Sequence, residues 1–325
     1  MKLLLILALL SQNTPAAGQE AEWGVVRTAR SDVLGGYQDV GASRADDAWV
    51  VRTGKPLLRW DGRAWHNAGG TAVPYLVRAH GPGEIWRFNE SVEQVEVWRW
   101  NGRTWTALPI RESGAHATAA LVPRKGECWA AGLRFGDHGM EDMVWHWTGK
   151  SWTSRRAPMP ITDFAAASRS ELWALSSYEG GPSASILRWS GREWRRVSLP
   201  RLPYAELHDI VALGPDDVWA VGSLVSSKEG LVLHWDGVSW KRSSYRPAGT
   251  GFRRAAPDGA GGLWLAARKQ QGPDSMTHYT ASSKWQEVPL DLPEAEITGL
   301  ANVPGTTMMW ATVDARGEQV ILSYK

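Results

Sequence analysis

The sequence predicts an all-β chain folded as a seven-bladed β-propeller, with four antiparallel strands per blade and the last blade closed by the N-terminal strand. Three observations lead there. Tryptophan is in large excess, 21 residues against four phenylalanines. One Trp recurs through the chain as Trp49, Trp86, Trp129, Trp173, Trp219, Trp264 and Trp310, at steps of 37, 43, 44, 46, 45 and 46 residues. A period in the forties, cut into four short strands, is the length of one propeller blade. Finally, the two ends complement each other. The last unit stops after its third strand at Ser323-Tyr324-Lys325, while Glu22-Trp23-Gly24-Val25-Val26 reads as a fourth strand without a blade. Pairing the two would remove the edges that a linear array leaves open.

The chain opens on a leader-like segment, residues 1–19. Met1-Lys2 is positive, Leu3 to Leu10 is apolar but too short to span a bilayer, and Pro15-Ala16-Ala17-Gly18 is a small-residue cleavage region. The expectation is a signal peptide followed by one propeller domain over 20–325, secreted to an extracellular or periplasmic space. The only cysteine, Cys128, cannot form a disulfide within the chain, so packing must stabilise the fold. Its place before Trp129 predicts a buried, apolar role.

Each repeat then yields four strands by one logic, clearest from Pro215 to Trp240. An alternating apolar run, His208 to Leu213, is followed by the turn Gly214-Pro215-Asp216-Asp217. The second strand is Val218-Trp219-Ala220-Val221-Gly222. After a polar loop the third strand ends in Leu233-His234-Trp235, and Asp236-Gly237 turns the chain into a fourth strand opening on Trp240. The Gly supplies the positive φ that a tight hairpin needs. The same turn recurs at Trp60-Asp61-Gly62, Trp100-Asn101-Gly102, Trp147-Thr148-Gly149 and Trp189-Ser190-Gly191. Nineteen Trp residues fall on these positions; Trp98 and Trp145 share the face of a third-strand Trp two residues on, and read as further blade–blade core. Beside them runs a second repeated position, Arg59, Arg99, His146, Arg188, His234, His278 and Ser323. Successive copies belong to different blades and cannot share one ion. They predict structural hydrogen bonds, between blades or to acidic turn residues such as Asp47 and Asp217.

These units resemble those of seven-bladed propellers in the broad WD40-like and kelch-like group, and more closely the divergent Trp-rich repeats of exported bacterial propellers. The best copy is Asp216-Asp217-Val218-Trp219-Ala220-Val221-Gly222 with His234-Trp235-Asp236-Gly237. The resemblance covers the whole chain after the leader and implies the fold. The Gly-His of WD40 repeats and the Gly-Gly of kelch repeats are missing, and the sialidase Asp-x-Gly-x-x-Trp pattern is not kept. No activity therefore transfers residue by residue.

A net charge of +2 gives no global pull toward nucleic acid or an anionic membrane. Loop lengths single out one face instead. Turns between first and second strands and between third and fourth strands are short and alike. Second-to-third loops, such as Leu133 to Asp142 and Ser223 to Gly230, vary, as do the connections between blades. Variable loops on a rigid ring are where binding is usually built. Tyr37, Tyr75, His116, Phe164, His208 and Phe252 begin inner strands, and are expected to ring the channel mouth as a docking surface for a protein or a glycan. The alternative is a carbohydrate-active propeller, a glycoside hydrolase or lyase, seeded by Glu206, His208 and Asp209 at the channel mouth. No nucleophile elbow, zinc motif or phosphate-cradling loop is present. Asp137, His138, Glu141 and Asp142 lack the spacing of a calcium or zinc signature. The sequence thus points to a monomeric binding scaffold with no cofactor, no metal and no membrane span.

Overall fold

The computed structural model describes residues 21–30, 36–68, 70, 73–89, 94–136, 139–176 and 184–325. The expected leader lies outside them, as do Asp137 and His138. The described residues form seven sheets of four strands, each a simple antiparallel meander. Blade 5 shows the pattern: inner strand Ala205–Gly214, second strand Asp217–Leu224, third strand Gly230–Trp235, outer strand Trp240–Arg242. The inner strands are Tyr37–Arg44, Pro74–Ala79, Ala115–Arg124, Asp163–Ala166, Ala205–Gly214, Thr250–Pro257 and Ala295–Asn302. Each neighbours the next, and the last neighbours the first, so the ring is closed around a central channel.

Closure is made as the chain ends predict. Trp23–Arg30 pairs antiparallel with Glu318–Tyr324, from Trp23↔Tyr324 to Arg30↔Glu318, and becomes the outer strand of blade 7. Among the described residues no helix is long and apolar enough to cross a membrane.

The Trp excess is a packing code. Every second-strand Trp meets the outer-strand Trp of the following blade edge to face: Trp49 with Trp105, Trp86 with Trp152, Trp129 with Trp194, Trp173 with Trp240, Trp219 with Trp285, Trp264 with Trp23, and Trp310 with Trp65. Centroids lie 5.3 to 6.3 Å apart, and the interplanar angles run from 75° to 88°. The edge of one indole quadrupole then faces the electron-rich plane of another, worth about 0.5–1.5 kcal/mol per pair beyond the burial itself. Trp145 is fully buried in the same kind of core, whereas Trp98 is half-buried with the Arg87 guanidinium 5.4 Å from its ring. Cys128 is buried in the cluster between blades 2 and 3, and burial pushes its thiol well above the ordinary range.

The repeated Arg or His binds acids within its own blade. Arg59 Nε donates to Asp47 and Arg99 Nε to Glu84; His146, His234 and His278 reach Glu127, Asp217 and Asp258 at 2.8 to 2.9 Å. Of the two expected roles, the acidic-turn contact is the one present. The same side chains also touch both blades of a seam, since Arg59 lies over Trp49 of its own blade and Trp100 of the next. The hairpin turns close as expected. Gly237 has φ 89°, and Asp236 Oδ1 accepts from the N–H groups of Val238 and Ser239.

One reading is corrected. Residues 133–142 were expected to form a loop, but blade 3 continues its second strand to Gly136 and begins its third at Gly139, so a long hairpin projects beyond the face. Cross-strand bonds persist past Leu133↔Asp142 to Gly136↔Gly139. The ion pairs of Glu141 with Arg134 and Arg156 brace its base.

Candidate functional site

Four strands in a meander put alternate connections at opposite ends of a sheet. The second-to-third loops and the inter-blade connections therefore share one face, and the inner strands begin there. The channel opens as a cavity of about 600 Å³, lined by inner-strand residues from all seven blades. That volume falls in the range of ordinary ligand clefts.

Most inner strands carry a β-bulge near the start. Register shifts fall between Tyr37 and Asp39, Pro74 and Leu76, Ala117 and Ala119, Leu207 and Asp209, Phe252 and Arg254, and Ile297 and Gly299. The extra residue of each is Gln38, Tyr75, Thr118, His208, Arg253 or Thr298. A bulge re-aims a side chain out of the ladder, and this set supplies polar groups at one level of the ring. Two bulges rest on a glycine of the neighbouring strand. A Cβ on Gly222 would stand 1.9 Å from the Glu206 carbonyl oxygen, and one on Gly132 would stand 2.0 Å from that of His116.

The expected mouth residues divide into two groups. Tyr37, Phe164 and Phe252 are buried in three separate blade–blade clusters, and of the three only Phe164 also borders the channel cavity. Their rings pack sideways because an inner strand must fill the wedge between blades before it can line the channel. Tyr75, His116 and His208 remain accessible, and two of them meet: Tyr75 stacks on His116 with centroids 5.6 Å apart and planes at 22°. His208 lies 3.9 Å from Glu206, which is exposed. Burial and the nearby Arg253 charge lower the His208 pKa, with Glu206 opposing.

Deeper in the channel lies a polar belt that the mouth expectation omitted. Arg78 Nη1 donates to Asp39 at 2.6 Å, and its Nε donates to the Ala120 carbonyl of the next blade. Asp163 accepts the N–H of Ile210, and Asp209 accepts the N–H of Ala255, each carboxyl reaching one blade onward. Arg254 Nε donates to the Thr298 carbonyl. Burial pushes the Asp209 carboxyl well above the usual range, reinforced by the charge of and hydrogen bond with Asp163. Burial opposes the Arg78 charge, yet Asp39, Asp163 and Asp209 together hold its pKa above the ordinary value. The belt was visible as a sequence signal: charged residues interrupt inner strands that are otherwise small and apolar.

Of the enzyme seeds, Glu206 stays at the rim, while Asp209 is turned inward onto the backbone of blade 6. The carboxyls that do converge, Asp163 and Asp209, stitch blades 4, 5 and 6 together. Among the described residues no group of three His, Cys, Asp or Glu side chains is placed to hold a metal ion.

The architecture defines the chain as a seven-bladed β-propeller, and solved propellers superpose on it over almost its whole length. YCF48 bound to a D1 peptide is 16% identical, with a TM-score of 0.62, over 96% of this chain and 99% of the other. A catalytically inactive virginiamycin B lyase from Staphylococcus aureus with quinupristin is 11% identical, with a TM-score of 0.66, over 94% and 100%. The WD40 propeller domain of Doa1 is 10% identical, with a TM-score of 0.64, over 93% and 97%. No family model matches the sequence, and no curated protein matches it significantly. At these identities the likeness is one of fold.

Proposed function

We propose that the protein is an exported binding propeller that grips an extended polypeptide segment of a partner protein across the channel mouth. The observation that carries this reading is the 600 Å³ cavity of the central channel, whose lining includes the bulged residues Gln38, Tyr75, Thr118 and His208 near the start of their inner strands. Gln38, Tyr75, Thr118 and His208 supply donors and acceptors of both kinds, the chemistry an extended backbone needs to satisfy its own N–H and C=O groups. The aromatic faces that would stack on a sugar are largely engaged, three rings within blade seams and Tyr75 against His116. That favours a peptide over a glycan. The likeness to YCF48 with its D1 peptide supports the same choice. Export rests on the leader-like segment from Leu3 to Leu10.

Parallel peptide-array and glycan-array binding by the full chain tests this. Peptides are expected to bind, and Tyr75→Ala with His208→Ala to weaken them about tenfold, as for interface anchors. Val238→Ser, on an exposed turn at the opposite face, is the control. Glycan binding without peptide binding, or peptide binding indifferent to both mouth variants, overturns the reading.

A further inference from the structure

The groove between blades 3 and 4 and the groove between blades 5 and 6 are built from matching residues. Each has a second-strand Trp stacked on a third-strand His: Trp129 on His146 at 3.9 Å, and Trp219 on His234 at 4.0 Å. Each adds a third-strand Val and a Phe from the next inner strand, Val144 with Phe164 and Val232 with Phe252. Each is faced by the next blade's outer-strand Trp, Trp194 or Trp285.

One position differs. Five residues after its outer-strand Trp, blade 5 carries Tyr245 and blade 3 carries Ala157. Tyr245 lies flat on Trp285, with centroids 4.5 Å apart and planes 3° apart, and its ring sits 6.3 Å from Phe252. In the matching groove there is no such ring. A cavity of about 400 Å³ is bordered there by Ala157, Pro158, Trp189 and Trp194. The chain holds an aromatic side chain of its own in one groove and leaves the equivalent groove open.

The rim of the open groove is basic. Arg155, Arg192 and Arg156, the last already paired with Glu141, border it, and its one carboxylate, Glu193, is held by Arg195 at 2.7 Å. Arg155 Nη1 donates to the Arg192 carbonyl, fixing its guanidinium at the seam, 5.9 Å from the Trp189 ring. The cavity between blades 6 and 7 is also open, about 630 Å³, but Glu22 and Asp291 border it and Leu290 holds the differing position. Charge therefore separates this groove from the one between blades 3 and 4.

We propose that the groove between blades 3 and 4 is a second docking site, which takes an aromatic side chain from an acidic segment of a partner protein. The ring enters the space that Tyr245 fills in the matching groove, and the flanking carboxylates meet Arg155 and Arg192. Apolar contact with indole faces supplies affinity, and the guanidiniums select acidic neighbours over basic ones.

The test uses the full chain and a dye-labelled pentapeptide, Glu-Asp-Tyr-Asp-Glu, read by fluorescence anisotropy. The wild type is expected to bind it, and to bind weakly or not at all the versions with Ala for Tyr or Lys for the acids. Ala157→Tyr plugs the groove with the protein's own solution and should weaken binding at least about tenfold, the scale of a lost anchor, with an unchanged melting temperature. Arg192→Glu should weaken it about three- to tenfold, more at low salt, and Val238→Ser should change nothing. Absence of binding by the wild type, equal binding of the Lys peptide, or unchanged affinity in Ala157→Tyr overturns the proposal. If Ala157→Tyr does not fold, unchanged affinity in Arg192→Glu, a surface substitution, overturns it instead.

Discussion

Trp23, the first residue of the N-terminal strand, meets Trp264 of blade 6 edge to face at 5.4 Å and 85°. The contact repeats the one that every other second-strand Trp makes with the following blade, although its two partners stand at opposite ends of the chain. It is the point where ring closure becomes a packing interaction.

Trp23→Ala is expected to cost about 2 kcal/mol in denaturant unfolding, below the range for a fully buried Trp because this one is half-exposed. Deleting 21–30 should do more. It uncovers the edge of Glu318–Tyr324 and should produce concentration-dependent association, visible by light scattering. A deletion variant that stays monomeric with an unchanged melting temperature contradicts closure by this strand.

Glu127 holds the blade 3 seam through two donors. Trp129 Nε1 donates to its Oε1 at 3.1 Å, and His146 Nε2 lies 2.8 Å from the same oxygen. Glu127→Ala leaves both ring nitrogens without that acceptor and should cost about 2–3 kcal/mol, with Glu127→Gln costing less. The acid also sets a pH dependence. Burial would push its carboxyl up, but the Arg124, His146 and Trp129 donors reverse this and hold it below its ordinary 4.5. Asp258, likewise opposed by burial and held down by His278, lies below 3.8. A depressed carboxylate contributes stability that is present above the unfolded pKa and lost as pH falls through the folded one. Thermal melts should therefore show acid loss below about pH 4.5, reduced in Glu127→Gln.

Asp209 runs the other way. Its raised pKa means that the folded state keeps a proton that the unfolded chain releases near 3.8. This contribution is full below that value and is lost as pH rises toward the folded pKa. Asp209→Asn keeps an acceptor for the Ala255 N–H and a donor for Asp163 without a charge to bury. The variant is expected to melt at or above the wild type at pH 8, with a smaller gain at pH 4. A variant destabilised equally at both pH values contradicts this assignment.

Gly222→Ala forces a methyl into the Glu206 carbonyl, beside the bulge that presents His208. The expected cost is at least about 2 kcal/mol from overpacking. Gly24→Ala, with open space around the added carbon, should be near neutral. In calorimetry, equal effects of the two would separate the bulge from this glycine.

Much of this was legible in the sequence. Trp219 and Trp240 announced the blade period, Asp236-Gly237 the hairpin, and Trp23 the closing strand, because each answers to a local rule of period or turn geometry. The acids beneath the repeated Arg and His were also legible, since Asp47 and Asp217 sit at a fixed offset before the second-strand Trp. The mouth was legible only in part. Tyr37 and Tyr75 begin consecutive inner strands, yet one is buried in a seam and the other opens to the channel. A first-strand aromatic can face either way, and the bulge that decides between them leaves no mark in composition.

The sequence by itself determined the ring: its seven units, its strand order and the seam that joins its ends. Repetition and turn chemistry act over a few residues and read directly from the chain. The tertiary structure alone decided what the ring encloses and leaves open. The Asp163–Asp209 pairing, the stack of Tyr75 on His116, and the vacancy at Ala157 where Tyr245 fills the matching groove all join residues of different blades. Such contacts are set by how wedge-shaped blades meet around an axis, a geometry that no single blade's sequence contains.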